Sequence, residues 1–199
     1  VTIIMELAKH GSLEDILSKA RDGFAPGSFT NTERQIILIG ISRGMAYLHD
    51  RNIIHRDLKP ANVLIDEEFH PKISDFGLSK SFDVGHSKTQ TIHAGTPIYM
   101  APEIIRGDSY GQEADVYAFG ILMYEVVTDS IPYPEFLKGR MNIYQFNKLV
   151  ESEKYRPKFL FAIKDSIKEL IGRCWADDPF ERPSFWEISY LLSNSDNFL

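Results

Sequence analysis

The segment QEADVYAFGILMYEVVT (Gln112–Thr128) carries apolar residues on nearly every face after its first turn. A helix of that kind has no side it can offer to water, so other elements must enclose it. The chain has the means: its 199 residues are the length of one ordinary domain, and 43% of them are hydrophobic, enough to bury a core. Further helices are expected around it. GSLEDILSKA (Gly11–Ala20) begins with a Ser cap and places acids in its first turn and a Lys in its last, which suits the helix dipole. TNTERQIILIGISRGMAYLHD (Thr30–Asp50) repeats Ile37, Ile41, Met45 and Leu48 at helical steps. MNIYQFNKLVESE, KDSIKELIGRCW and SFWEISYLLSN supply three more. NVLID and HPKISD, separated by a turn, predict a small hairpin. From Phe76 to Pro102 no period emerges, and a long loop is expected. The fold class is mainly α with a small β-hairpin.

One stretch does not serve the core. In IIHRDLKPANVLI (Ile53–Ile65), apolar residues hold both ends, and His55, Arg56, Asp57, Lys59 and Asn62 stand between them. DFG (Asp75–Gly77) follows the hairpin, so Asp57 lies five residues before Asn62 and eighteen before Asp75. Phosphoryl transfer calls for these residue types. One carboxylate accepts the proton of an attacking hydroxyl, while an amide oxygen and a second carboxylate hold magnesium against nucleotide phosphates.

The whole composition narrows the alternatives. A formal charge of −6 argues against a nucleic-acid binder. No apolar run nears the roughly 18 residues a membrane helix needs, so no membrane segment is expected in this chain. The single cysteine, Cys174, excludes an internal disulfide and fits a reducing, cytoplasmic setting; beside Trp175 it reads as packed core. The histidines at 10, 49, 70, 86 and 93 show no ligand spacing and are expected on the surface or in loops.

Taken in order, these motifs resemble those of eukaryotic protein kinases along nearly the whole chain. HRDLKPAN resembles the catalytic loop, DFG the magnesium motif, GTPIYMAPE (Gly95–Glu103) the end of the activation segment, and DVYAFG (Asp115–Gly120) the start of the central helix. CWADDPFERPSF (Cys174–Phe185) is similar to the ending shared by tyrosine kinases and tyrosine-kinase-like serine/threonine kinases. LKPAN and GTPIYMAPE are the serine/threonine forms. The resemblance therefore implies a tyrosine-kinase-like serine/threonine kinase that uses ATP and Mg²⁺ on a protein Ser or Thr hydroxyl in signal transduction. The alternative is a pseudokinase or scaffold that binds partners without catalysis.

The resemblance also implies roles. Asp57 would be the catalytic base and Lys59 would neutralise charge on the transferred group. Asn62 and Asp75 would bind magnesium and ATP phosphates, and Thr96 would shape the substrate pocket. The opening IIMELAKHGSL resembles the hinge that receives adenine. There Met5 would be gatekeeper, the Glu6 carbonyl and Ala8 amide would bond the purine, Ser12 would reach the ribose, and Leu64 would form the floor. His55 and Phe76 would stack, Glu103 would pair with Arg182, and Asp115 would hold the catalytic loop from below. Arg56 and Lys80 would gather around an activation-loop phosphate, with Ser87, Thr89 and Thr91 as acceptors for an upstream kinase.

No glycine-rich loop or VAIK-like lysine is visible, and the chain opens on Val1 inside a strand-like run. Residues 1–11 are expected to be hinge strand and linker, residues 12–199 a helical C-terminal lobe, and the whole a fragment of a longer kinase. Such a fragment would hold the nucleotide from one side and transfer little by itself.

Overall fold

A computed structural model describes residues 6–23, 29–76, 80–81 and 97–194. Two helices come first, α1 (Leu13–Arg21) and α2 (Asn31–His49). α1 starts on the Ser cap that the sequence predicted, and α2 shows a cap of the same kind. Ser12 Oγ accepts the Asp15 amide while Asp15 Oδ2 accepts the Ser12 amide, and Thr30 and Glu33 repeat that reciprocal cap. After α2 come β1 (Ile53–Ile54), a 3₁₀ turn at Pro60–Asn62, β2 (Val63–Ile65) and β3 (Pro71–Ile73). β2 and β3 form the expected antiparallel hairpin, with Leu64 opposite Lys72.

The second half holds α3 (Pro102–Arg106), α4 (Glu113–Thr128), α5 (Pro134–Leu137), α6 (Ile143–Ser152), α7 (Asp165–Cys174) and α8 (Phe185–Asn194). Every residue of α4 from Ala114 to Val126 is buried. α7 packs along it at Gly120, where an added Cβ would sit 2.9 Å from Cys174 Cβ. α8 lies on α2, and the hairpin lies on α2 as well. Gly40 makes that second approach possible: a Cβ there would meet the Pro71 ring at 2.5 Å. No helix among the described residues is long and apolar enough to cross a membrane.

Three features depart from the sequence expectations. The stretch beyond Phe76 contains a strand, β4 (Lys80–Ser81), which pairs antiparallel with β1. Strands of two residues carry no periodicity, so only the tertiary pairing defines them. α3 and α5 are likewise one-turn helices begun by prolines, too short for a 3.6-residue repeat to show. His49 is not a surface residue: its side chain is 10% exposed, lies 2.9 Å from Asp115 and meets Phe185 edge-on.

Candidate active site

The polar loop hangs from the central helix. Asp115, in the first turn of α4 and buried, accepts the His55 amide on Oδ2 at 2.8 Å and the Arg56 amide on Oδ1 at 2.9 Å. These two bonds fix a backbone that turns through the left-handed region at Arg56 (φ 72°), a conformation that costs a non-glycine residue energy. The His55 ring adds a second tie. Its Nδ1 accepts the Asp57 amide at 3.3 Å and its Nε2 donates to the Ser74 carbonyl at 3.0 Å, joining the loop to the chain just before Asp75.

So held, Asp57, Lys59 and Asn62 converge. Lys59 Nζ donates to Asp57 Oδ2 at 2.7 Å, and Asn62 Nδ2 donates to the same oxygen at 2.9 Å and to the Asp57 carbonyl at 2.8 Å. Asp57 Oδ1 takes no hydrogen bond among the described residues. The Asn62 amide spends its nitrogen on Asp57, which leaves its oxygen as a donor for a cation. Ser74 is bound to Asn62 through both its amide (2.9 Å) and its hydroxyl (3.1 Å) to the Asn62 carbonyl. Asp75 therefore follows directly beside Asn62, itself in a left-handed conformation (φ 59°). An amide oxygen and a carboxylate side by side suit a hard cation that completes its shell from phosphate and water. Among the described residues no cluster of three or more His, Cys, Asp or Glu could hold a metal unaided.

The supporting residues fall as follows. The His55 and Phe76 rings lie 5.4 Å apart and tilted by 57°. Glu103 and Arg182 form a buried, two-pronged ion pair. Leu64 is half-buried and bridges to Ser12. The Ser12 hydroxyl is spent on its cap, donating to Asp15 Oδ2 at 2.7 Å. The Glu6 carboxylate pairs with Lys72 Nζ at 2.6 Å, and the Ala8 carbonyl accepts the Gly11 amide at 3.1 Å. Met5, Ser87, Thr89, Thr91 and Thr96 lie outside the described residues. Arg56 Nε is buried with no hydrogen-bond partner among them, and its guanidinium lies 5.4 Å from the Tyr110 ring centre. β4 brings the Lys80 backbone alongside Ile54. Cys174 is fully buried, and burial pushes its thiol up to about 12, so it is inert core.

Two site-proximal groups escaped the sequence reading. His49 shares Asp115 with the loop amides. Glu125, one of the apolar helix's few polar residues, is buried and accepts from Tyr99 Oη and from Arg21 Nη2, each at 2.5 Å. The Glu within an otherwise apolar run was the available signal, since a buried carboxylate demands partners.

The sequence model of the protein kinase domain family matches residues 1–191. A probable serine/threonine-protein kinase of Dictyostelium discoideum is 38% identical over 97% of this chain and 14% of its own length. The probable serine/threonine-protein kinase drkC of the same organism is 40% identical over 94% of this chain and 24% of its own length. Its dual specificity protein kinase shkB is 36% identical over 95% of this chain and 28% of its own length. The chain thus spans between about a seventh and just over a quarter of these three relatives. By these matches and by the loop suspended from Asp115, the chain belongs to the protein kinase domain family.

Proposed function

We propose that the protein transfers the γ-phosphoryl group of magnesium-ATP to a Ser or Thr hydroxyl of a protein substrate. The observation that carries this reading is the Asp57 carboxylate: Lys59 and Asn62 both bind Oδ2, and among the described residues none binds Oδ1, the oxygen that would take a hydroxyl proton. Family membership implies ATP, a divalent metal and a protein substrate. Bound magnesium-ATP supplies the phosphoryl group and a cation that offsets its charge. Asp57 orients the attacking hydroxyl and accepts its proton, and Lys59 opposes the negative charge that develops beside it. Asn62, through its side-chain oxygen, and Asp75 would hold the metal, and magnesium suits such oxygen donors.

The nucleotide base would meet the Glu6 carbonyl and the Ala8 amide, with Leu64 beneath it. Ser12 would reach the ribose by sharing its capping hydroxyl. The partition into hinge (1–11) and helical lobe (12–199) belongs to the same proposal, as do the pocket role of Thr96 and a cytoplasmic setting. Membership of the tyrosine-kinase-like group is supported by CWADDPFERPSF (Cys174–Phe185). An upstream kinase acting at Ser87, Thr89 or Thr91 is supported by the buried Arg56 Nε, a charged donor without an acceptor among the described residues.

The test is magnesium-ATP phosphotransfer by the full-length protein to peptides bearing a single Ser, Thr or Tyr. Transfer to Ser or Thr that disappears in Asp57→Asn is the expected result. Transfer to Tyr alone overturns the acceptor assignment. Silence in both proteins, with nucleotide binding absent, favours the scaffold alternative.

A further inference from the structure

An open pocket of about 230 Å³ lies where the end of α2 meets the starts of α4 and α8. Ala46, Val116 and Phe185 give it apolar lining, and each is at most 3% exposed. Trp186 forms a wall. It is 56% exposed, yet its ring is not loose: Nε1 donates to Asp50 Oδ1 at 3.0 Å and pins the start of α8 to the end of α2. A fixed indole left this open adds little to the core, which its buried neighbour Phe185 already serves.

The free polar groups of the lining share one sign. Asp50 and the half-buried Glu113 both face the pocket. Among the described residues, Asp50 Oδ2 and the Glu113 carboxylate take no hydrogen bond. Gln112 uses its amide nitrogen on the His49 carbonyl at 2.6 Å, and its oxygen likewise takes no hydrogen bond among those residues. Arg182 also lines the pocket, but Glu103 occupies both its Nη atoms. His49 directs Nε2 to Asp115. The C-terminal end of α2 adds the negative end of a helix dipole, while Glu113 and Asp115 offset the positive end of α4 from within its own first turn.

Two carboxylates, a spare amide oxygen and a bare indole call for a flat cation with several donors. A guanidinium has both properties, with five N–H groups in one plane and a face that stacks on an aromatic ring. A carboxylate or phosphate would be repelled by Asp50 and Glu113. The volume lies below the roughly 300–1,000 Å³ of sites that take whole small molecules, and suits one long side chain. Tyr190, one turn along α8 from Trp186 and 67% exposed, adds aromatic surface of the kind that protein interfaces cover.

We propose that this pocket receives an arginine side chain presented by a partner protein, with Asp50 and Glu113 supplying the charge and Trp186 the stacking face. The inference goes beyond the kinase reading and stands whether or not the protein transfers phosphate.

The experiment titrates full-length protein, by ligand-observed NMR, with a capped alanine peptide that carries one Arg. The comparison peptide carries citrulline, an uncharged isostere, in its place, and ethylguanidinium serves as a free cation. The Arg peptide should bind roughly tenfold more tightly than the citrulline peptide, since each open ion pair is worth a few-fold. Asp50→Asn/Glu113→Gln removes both charges and keeps an acceptor for the Trp186 N–H, so its fold should be retained, which thermal unfolding checks; the Arg preference should nearly vanish. Trp186→Leu, which keeps apolar bulk without the aromatic face, should weaken the Arg peptide a few-fold. Equal binding of the Arg and citrulline peptides, or an Arg preference that survives in the double variant, overturns the proposal. Binding of ethylguanidinium that depends on Asp50 and Glu113, with the Arg peptide excluded, overturns the assignment of a protein partner.

Discussion

The Glu103 carboxylate and the Arg182 guanidinium meet edge to edge, Oε1 to Nη1 at 2.6 Å and Oε2 to Nη2 at 2.8 Å. Their side chains are 4% and 0% exposed. Arg182 also donates to the carbonyls of Glu113 and Ala176, each at 3.0 Å. One guanidinium thus ties the start of α3, the start of α4 and the segment leading to α8. The pair sits at a junction of the fold.

Removing either partner leaves a buried charge uncompensated. Arg182→Met or Glu103→Leu alone should cost roughly 3–5 kcal/mol, and the double replacement should cost clearly less than the sum. Urea unfolding of the two singles and the double decides it. Single variants within about 1 kcal/mol of wild type, the value of an exposed pair, would show that the pair carries no such weight.

Asp115 is the acceptor for the buried His55 amide and the part-buried Arg56 amide, and Asp115→Ala leaves both unpaired, at about 1–3 kcal/mol for the buried one and less for the other. The variant should lose stability and, because Arg56 then loses the amide acceptor that helps hold it at φ 72°, should also lose phosphotransfer. Amide exchange at His55 and Arg56 should quicken. A variant that unfolds at the wild-type urea concentration, with wild-type exchange, contradicts this account.

Glu125 gives stability a pH dependence of predictable sign. Burial raises its carboxyl from the ordinary 4.5 to about 7, overriding the Tyr99 and Arg21 contacts. Between those values the folded chain binds more protons than the unfolded one, so this group's contribution is fully present below pH about 4.5 and is lost as pH rises through about 7. Glu125→Gln cannot titrate, and its unfolding free energy should fall less steeply across that window. Parallel curves for the two proteins would refute the assignment.

Gly120→Ala should destabilise the fold even though alanine is the better helix former. The gain in propensity is at most about 1 kcal/mol, whereas the new methyl would sit 2.9 Å from Cys174 Cβ and 3.3 Å from the Trp175 backbone nitrogen. Overpacking of this kind costs roughly 1–3 kcal/mol. A higher melting temperature in Gly120→Ala would mean that α7 can move aside.

Much of the helical frame was legible because its signals are local. Ser12 announces a cap, the apolar repeat of Thr30–Asp50 a long helix, and the unbroken apolar faces of Gln112–Thr128 demand a central position. The two-residue strands β1 and β4 were not legible, since nothing in Lys80–Ser81 prefers a strand until Ile53–Ile54 lies beside it. His49 was misjudged for a similar reason: its position at a helix end looks exposed until α8 and Asp115 close over it.

The same division runs through the site. Asp57, Asn62 and Asp75 were singled out by residue type and order, because phosphoryl transfer needs such groups, and Lys59 by the family resemblance. What sequence by itself determined was therefore the chemistry available and the family that uses it. Only the tertiary structure decided that Lys59 and Asn62 crowd one oxygen of Asp57, the other taking no hydrogen bond among the described residues, and that Arg21, 104 residues before Glu125, meets its carboxylate. The reason is physical: a side chain's identity is local, but its hydrogen-bond partners are set by which distant elements pack against it.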